Sequence, residues 1–133
     1  MNRLRTPGLA AGVVLVALVG CGGGNDKEEA ESVVRDIAEA TNDADGERFC
    51  GLVTEQLLEQ STGAKGDKAK DACKKQIDLQ KNTNLKITKI TRTEIDGDKA
   101  MVTAELETSG RKRPQVFNLK KEDGDFKLAG ARD

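Results

Sequence analysis

The chain has 133 residues, 36% hydrophobic and 34% charged, with a formal net charge of −1 at pH 7; it lacks His, Trp and Tyr and has only three Phe. One modest domain with a core of Val, Ile, Leu and Ala is what such a chain can build. The commonest proton shuttle, the commonest neutral metal ligand and any phenol chemistry are excluded.

The charge is unevenly spread. From Asp26 to Glu59 there are 11 acidic and 3 basic residues, whereas Lys65 to Asp133 carries 12 acidic and 17 basic ones. Two halves packed as separate layers would give a polarised surface.

Arg3 and Arg5 precede an apolar run of 12 residues, Gly8 to Val19. That run is too short to span a bilayer core as a helix and reads as a signal peptide over residues 1–20. It closes on Leu18-Val19-Gly20-Cys21, which resembles the bacterial lipobox: an aliphatic residue, two small residues, then Cys. The resemblance implies cleavage between Gly20 and Cys21, a diacylglycerol thioether on the Cys21 sulfur and often an acyl chain such as palmitate on the freed amine. Two or more acyl chains hold a protein firmly, since each buried methylene contributes about 0.8 kcal/mol and a single chain is marginal. The expected location is the extracytoplasmic side of the cell membrane, reached through lipid on Cys21; the rival reading is an ordinary secretory signal that Cys21 happens to follow. Residues 21–27 then form the lipidated Cys and a flexible glycine tether, and residues 28–133 form the domain.

From Glu28 to Thr41 the apolar positions Ala30, Val33, Val34, Ile37 and Ala38 recur at spacings of three and four, the pattern of an amphipathic helix. Acidic residues crowd its first turn, where the helix dipole favours them. Asn42 to Gly46 breaks it. A second helix is predicted over about Glu47–Gln60, burying Phe49, Leu52, Val53, Leu57 and Leu58, with Ser61-Thr62-Gly63 ending it. A lysine-rich third helix follows over about Asp67–Lys81, with Ala69, Ala72, Cys73 and Ile77 inward. Asp43, Asp45 and Gly46 invite a calcium reading. Placing Gly46 sixth in an EF-hand loop puts Thr41 first and Leu52 twelfth, where a Glu is required, so the segment reads as an interhelical turn.

With Cys21 lipidated, Cys50 and Cys73 remain, one on each of two helices, and an even pair in an exported small domain is most simply a disulfide. A catalytic thiol or a metal site is the rival reading, and both lack a His and any further Cys. No cofactor and no metal is expected.

After Asn84 the period changes to two. Leu85, Ile87 and Ile95 share one parity and Ile90 takes the other, which predicts a long strand with a bulge. Asp96-Gly97 turns the chain into Ala100, Val102, Ala104 and Leu106, alternating with polar residues. Ser109-Gly110 makes the next turn, and Pro114 places the start of the third strand at an edge or bulge. Asp123-Gly124 leads into a last strand with Phe126 and Leu128 on one face. The predicted architecture is α+β: N-terminal helices packed on a curved four-stranded antiparallel meander.

This order, helix, Asp-containing turn, Phe49-Cys50 on a second helix, Cys73 on a third, then hairpins ending Glu122-Asp123-Gly124-Asp125-Phe126-Lys127-Leu128, resembles small exported lipoproteins of the NTF2-like (cystatin-like cone) superfamily. The resemblance covers about Glu28 to Asp133. Its members usually open the last strand with Trp, where this chain has Phe126, and some exported members share the paired cysteines. The fold hosts isomerases, hydratases and many non-catalytic modules, so it implies architecture more than activity.

Three functions follow for weighing. The first is a non-enzymatic binding or adaptor module of the bacterial envelope, holding an envelope protein or a small apolar ligand in the cone or at its rim; Ala100, Ala104 and Gly130 either line such a pocket or simply pack. The second is an isomerase- or cyclase-type enzyme with a buried carboxylate base. Glu105 and Glu107 are the carboxylates on offer, without the Tyr or His donors such sites resemble, and no catalytic residue is assigned. The third rests on basic clusters, Lys65, Lys68, Lys70, Lys74 and Lys75, Arg111 to Arg113, and Lys120-Lys121, as a solvated face or a contact with anionic headgroups near the anchor. Export and the scarcity of aromatics argue against nucleic acid.

Overall fold

The structure, a computed structural model, describes residues 23–80 and 84–133. The signal peptide over residues 1–20, the cleavage point between Gly20 and Cys21 and the lipidation of Cys21 lie outside these residues. Four helices, α1 (Gly23–Asn42), α2 (Gly46–Gly51), α3 (Glu55–Thr62) and α4 (Asp67–Asp78), precede four strands, β1 (Leu85–Asp96), β2 (Lys99–Thr108), β3 (Arg111–Glu122) and β4 (Asp125–Arg132). The strands form one antiparallel sheet in the order β1-β2-β3-β4, and the helices cover one face of it. This is the predicted α+β meander.

The sheet follows its sequence pattern closely. Ala100, Val102, Ala104 and Leu106 all face the core. Ile87, Ile90 and Ile95 pair with Leu106, Ala104 and Ala100, so all three face inward despite their mixed parity. Two register irregularities, between Ile87 and Lys89 and between Ile90 and Arg92, re-aim the chain and bend the strand. The turns at Ser109-Gly110 and Asp123-Gly124 have positive φ at both central residues, as the twist of a two-residue hairpin demands. Pro114 pairs with Glu105 on one side; on the other, β4 pairing stops at Val116 with Arg132, so the missing N–H falls on an edge.

The helical layer departs from expectation in three places. First, α1 begins at Gly23, so residues Gly23 to Lys27, predicted as tether, form its opening turn and a half. Glycine disfavours a helix by about 1 kcal/mol relative to alanine, but this end is latched to the sheet. Asp26 lies 3.1 Å from the Lys121 ammonium, the Phe126 N–H donates to Glu29 and the Thr93 hydroxyl donates to Glu31. Second, the single helix expected over Glu47–Gln60 is two, broken at Leu52-Val53-Thr54. The sheet recruits this stretch: the Thr54 N–H donates to the Leu128 carbonyl at 2.9 Å and the Leu128 N–H to the Leu52 carbonyl at 2.7 Å. The Thr54 hydroxyl then accepts from the Leu57 N–H at 3.2 Å and caps α3. Third, α4 ends at Asp78, short of Lys81.

Between α1 and α2, Asp45 accepts from the Arg48 N–H and caps α2, the interhelical role expected of the Asp43–Gly46 turn. Gly46 then enters α2 hard against α4. A Cβ at Gly46 would lie 2.7 Å from the Lys74 carbonyl oxygen and 2.9 Å from the Lys74 Cα, so one helix must shift to admit it. Gly46→Ala is expected to cost about 1–3 kcal/mol, and a thermal melt should record a melting temperature lower by roughly 4–25 °C.

Candidate functional site

Cys50 on α2 and Cys73 on α4 are joined in a disulfide with their Cα atoms 6.1 Å apart. Both sulfurs are buried in the core. Two clefts open beside the bridge, sharing Val53 and Leu58 in their walls and differing in chemistry.

The first, about 250 Å³, has Cys50 in its lining together with Glu55, Asp67, Lys70, Glu122, Asp123 and Lys127. Its charges are partly spent on one another: Glu122 accepts the Glu55 N–H at 3.0 Å and lies 3.9 Å from the Lys127 ammonium. Among the described residues no group of three or more His, Cys, Asp or Glu side chains is placed to hold a metal ion.

The second, about 280 Å³, opens between α2, α3 and α4. Phe49, Val53, Leu57, Leu58, Ile77 and Leu128 form its walls with Cys73, while Ser61 and Gln76 supply the only side-chain polar groups. No carboxylate and no cation is in this lining. Phe49 and Leu57, expected inside the core, pack against it half-buried and line the cleft as well. The break at Val53-Thr54 is the reason. Phe49, Leu52, Val53 and Leu57 would share one face of a continuous helix, and splitting the segment leaves Phe49 and Leu57 along an open groove. Nothing local in the sequence marks this cleft, and Ser61, Gln76 and Leu128 carried no signal of their own.

Other candidate residues lie elsewhere. Ala100 and Ala104 are core residues opposite Ile95 and Ile90, and Gly130 is half-exposed. Glu105 and Glu107 alternate with the buried Ala104 and Leu106 and so stand on the face of β2 turned away from the helices; Glu105 accepts from the Thr88 hydroxyl at 2.7 Å and lies 3.9 Å from Lys112. Thr54, the one buried polar or charged side chain among the described residues, is occupied as a helix cap.

The polarised sequence does not produce a free acidic layer. Beyond the α1 latches, Asp36 and Glu39 hold Arg48 at 3.1 and 3.4 Å. The Glu39 hydrogen bond, with help from Asp36, raises that guanidinium above the ordinary arginine pKa. Of the basic clusters, Lys121 is bound to Asp26 and sits 5.1 Å from the Phe126 ring centre. Lys65, Lys68, Lys70, Lys74 and Lys75 make no ion pair among the described residues. Arg111 to Arg113 follow the β2–β3 turn, at the sheet end where Asn42 finishes α1 by bonding to Leu85; the start of α1 meets Thr93, Lys121 and Phe126 at the other end. A 20-residue helix puts these two ends about 30 Å apart.

No protein-family model matches the sequence, and no curated protein does. Solved structures do share its fold. A protein of unknown function with a cystatin-like fold from Nostoc punctiforme superposes with a TM-score of 0.60 at 13% identity, covering 82% of this chain and 90% of that one. A protein of the NTF2-like family from Streptomyces avermitilis gives 0.60 at 13% identity, covering 83% and 96%. A protein of unknown function from Mycobacterium tuberculosis gives 0.58 at 20% identity, covering 79% and 72%. The domain therefore has the NTF2-like, cystatin-like fold: helices on one curved four-stranded antiparallel sheet.

Proposed function

We propose that this NTF2-like domain is a non-enzymatic binding or adaptor module, anchored by lipid on Cys21 to the extracytoplasmic side of the cell membrane, that holds an envelope protein or a small apolar ligand. The observation that carries the binding role is the cleft between α2, α3 and α4, walled by Leu57, Ile77 and Leu128 and free of titratable groups. Recognition by shape and apolar contact needs no more than this. The Cys50–Cys73 bridge is compatible with an oxidising compartment.

The isomerase-type alternative has less to draw on. Its carboxylates, Glu105 and Glu107, face away from the helices and the core. Neighbours of the same fold include proteins of unknown function and one proposed to be a dehydratase, and at such low identity the likeness speaks to architecture. The headgroup contact suits Arg111 to Arg113 poorly, since they lie at the end of the domain away from the start of α1.

Cell fractionation tests the anchor. The native protein should sediment with membranes, and Cys21→Ser should shift it to the soluble extracytoplasmic fraction or leave it uncleaved. Membrane retention of a cleaved Cys21→Ser form would refute the anchor. Native mass spectrometry of the protein released from membranes tests the binding role: a retained small molecule or stoichiometric protein is expected.

A further inference from the structure

We infer that the face of the sheet turned away from the helices is an interface between two copies of this chain, which meet face to face with their strands running in opposite directions. Neither the apolar cleft nor the anchor is involved.

Strand register decides what this face carries. Ala100, Val102, Phe117 and Leu119 point into the core, so Met101, Thr103, Val116 and Asn118 point outward. Met101 pairs with Asn118 and Thr103 with Val116 at the centre of the face, and all four are half-buried and uncharged. On β1, Glu94 and Arg92 flank this centre. Toward one end of the strands the outward residues are Asp96, Lys99 and Lys120; toward the other they are Lys89, Glu105 and Pro114. A hollow of about 320 Å³ opens at the first end, among Met101, Asn118, Lys120 and Ala129. The exposed Pro114 stands at the second.

A two-fold axis lying across the strands, between the Met101–Asn118 and Thr103–Val116 pairs, lays each strand over its own copy in reverse. It sets Lys99 against Glu105 of the second copy, Asp96 against Lys89 and Glu94 against Arg92, and it brings Pro114 to Lys120 at the rim of the hollow. Every charged pair joins opposite signs, and the symmetry makes each of them twice. An axis parallel to the strands fails this test, since it sets Lys99 on Lys120 and Arg92 on Arg132. Within one chain Lys89, Asp96 and Lys99 make no ion pair among the described residues. Arg92 already holds Glu94, and two such pairs face to face close a ring of four alternating charges.

Packed sheets cross at about 30°, which displaces facing residues by a few ångström, within reach of Lys, Arg and Glu side chains. Strands of about ten residues, rising about 3.4 Å each and set about 4.8 Å apart, give the face roughly 500 Å². Two such faces bury about 1,000 Å², the threshold for a specific but transient interface.

The test follows the full chain in detergent micelles by sedimentation equilibrium, where a monomer–dimer equilibrium at micromolar concentration is expected. Lys99→Glu alone or Glu105→Lys alone places like charges at two symmetric contacts and should weaken association by about 10- to 100-fold. Both substitutions in one chain restore opposite signs and should bring association back to within about 3-fold of the native protein. Such rescue can only pass between copies, because six residues along one strand keep positions 99 and 105 about 20 Å apart. Circular dichroism checks that each variant is folded. A monomer at every concentration would overturn the inference and leave the face to another protein or to water. A dimer indifferent to both single substitutions would overturn it by placing the contact elsewhere, and a double variant that fails to recover would overturn the antiparallel arrangement and with it the inference.

Discussion

Breaking the Cys50–Cys73 bridge, by reductant or by Cys50→Ala with Cys73→Ala, is expected to lower the melting temperature by about 12–25 °C. The bridge spans 23 residues, and closing a loop of that size is worth about 3 kcal/mol in the chain-entropy model, at roughly 4–8 °C per kcal/mol for a domain of this size. The enclosed segment makes the case stronger. It holds the last two residues of α2, all 8 residues of α3 and the start of α4, and helices as short as α2 and α3 do not persist alone in water. Their apolar faces are divided between core and cleft, so part of their burial is missing. Circular dichroism melts with and without reductant would measure the effect, and a shift below about 4 °C would show that α2, α3 and α4 hold one another without the bridge. Reduction should also weaken whatever the apolar cleft binds, because Cys73 forms part of its wall.

Phe126→Ala should be the most damaging single substitution in the sheet, at about 3–5 kcal/mol, read as a fall in the midpoint of urea unfolding. Phe126 is 1% exposed and is the largest fully buried side chain. With only three Phe and no Trp or Tyr in the chain, the core has no other large ring so deeply placed. Its loss also removes the platform under the Lys121 ammonium, which holds Asp26 at the start of α1. A whole domain of this kind is stable by about 5–15 kcal/mol, so the variant stands near unfolding. Phe126→Leu, which keeps most of the volume, should cost less than about 1.5 kcal/mol, and a similar loss in both variants would mean that the site collapses around the smaller side chain.

The strand half was legible because its determinants are local. Alternation from Ala100 to Leu106 fixes a face, and Gly97, Gly110 and Gly124 mark the hairpin turns wherever the rest of the chain lies. The helical half was legible in kind and misread in extent, because its boundaries are decided by residues far along the chain. Gly23 to Lys27 join α1 through Lys121 and Phe126, and Val53-Thr54 leave the helix to pair with Leu128. Neither event has a local signature. The cysteine pair could be named by removing Cys21 from the count, whereas the cleft beside Cys73 depends on a helix break that periodicity cannot foresee.

The early start of α1 bears on how far the domain can travel. Only Gly22 lies between Cys21 and Gly23, and two residue steps span no more than about 7 Å however they are arranged. A lipid on Cys21 would leave the domain almost no radius in which to search, so it would work as a fixed post on the bilayer rather than as bait on a line. Partners with their own reach, or molecules already dissolved in the same leaflet, would meet it at high effective concentration, and those confined to a distant surface would not meet it at all.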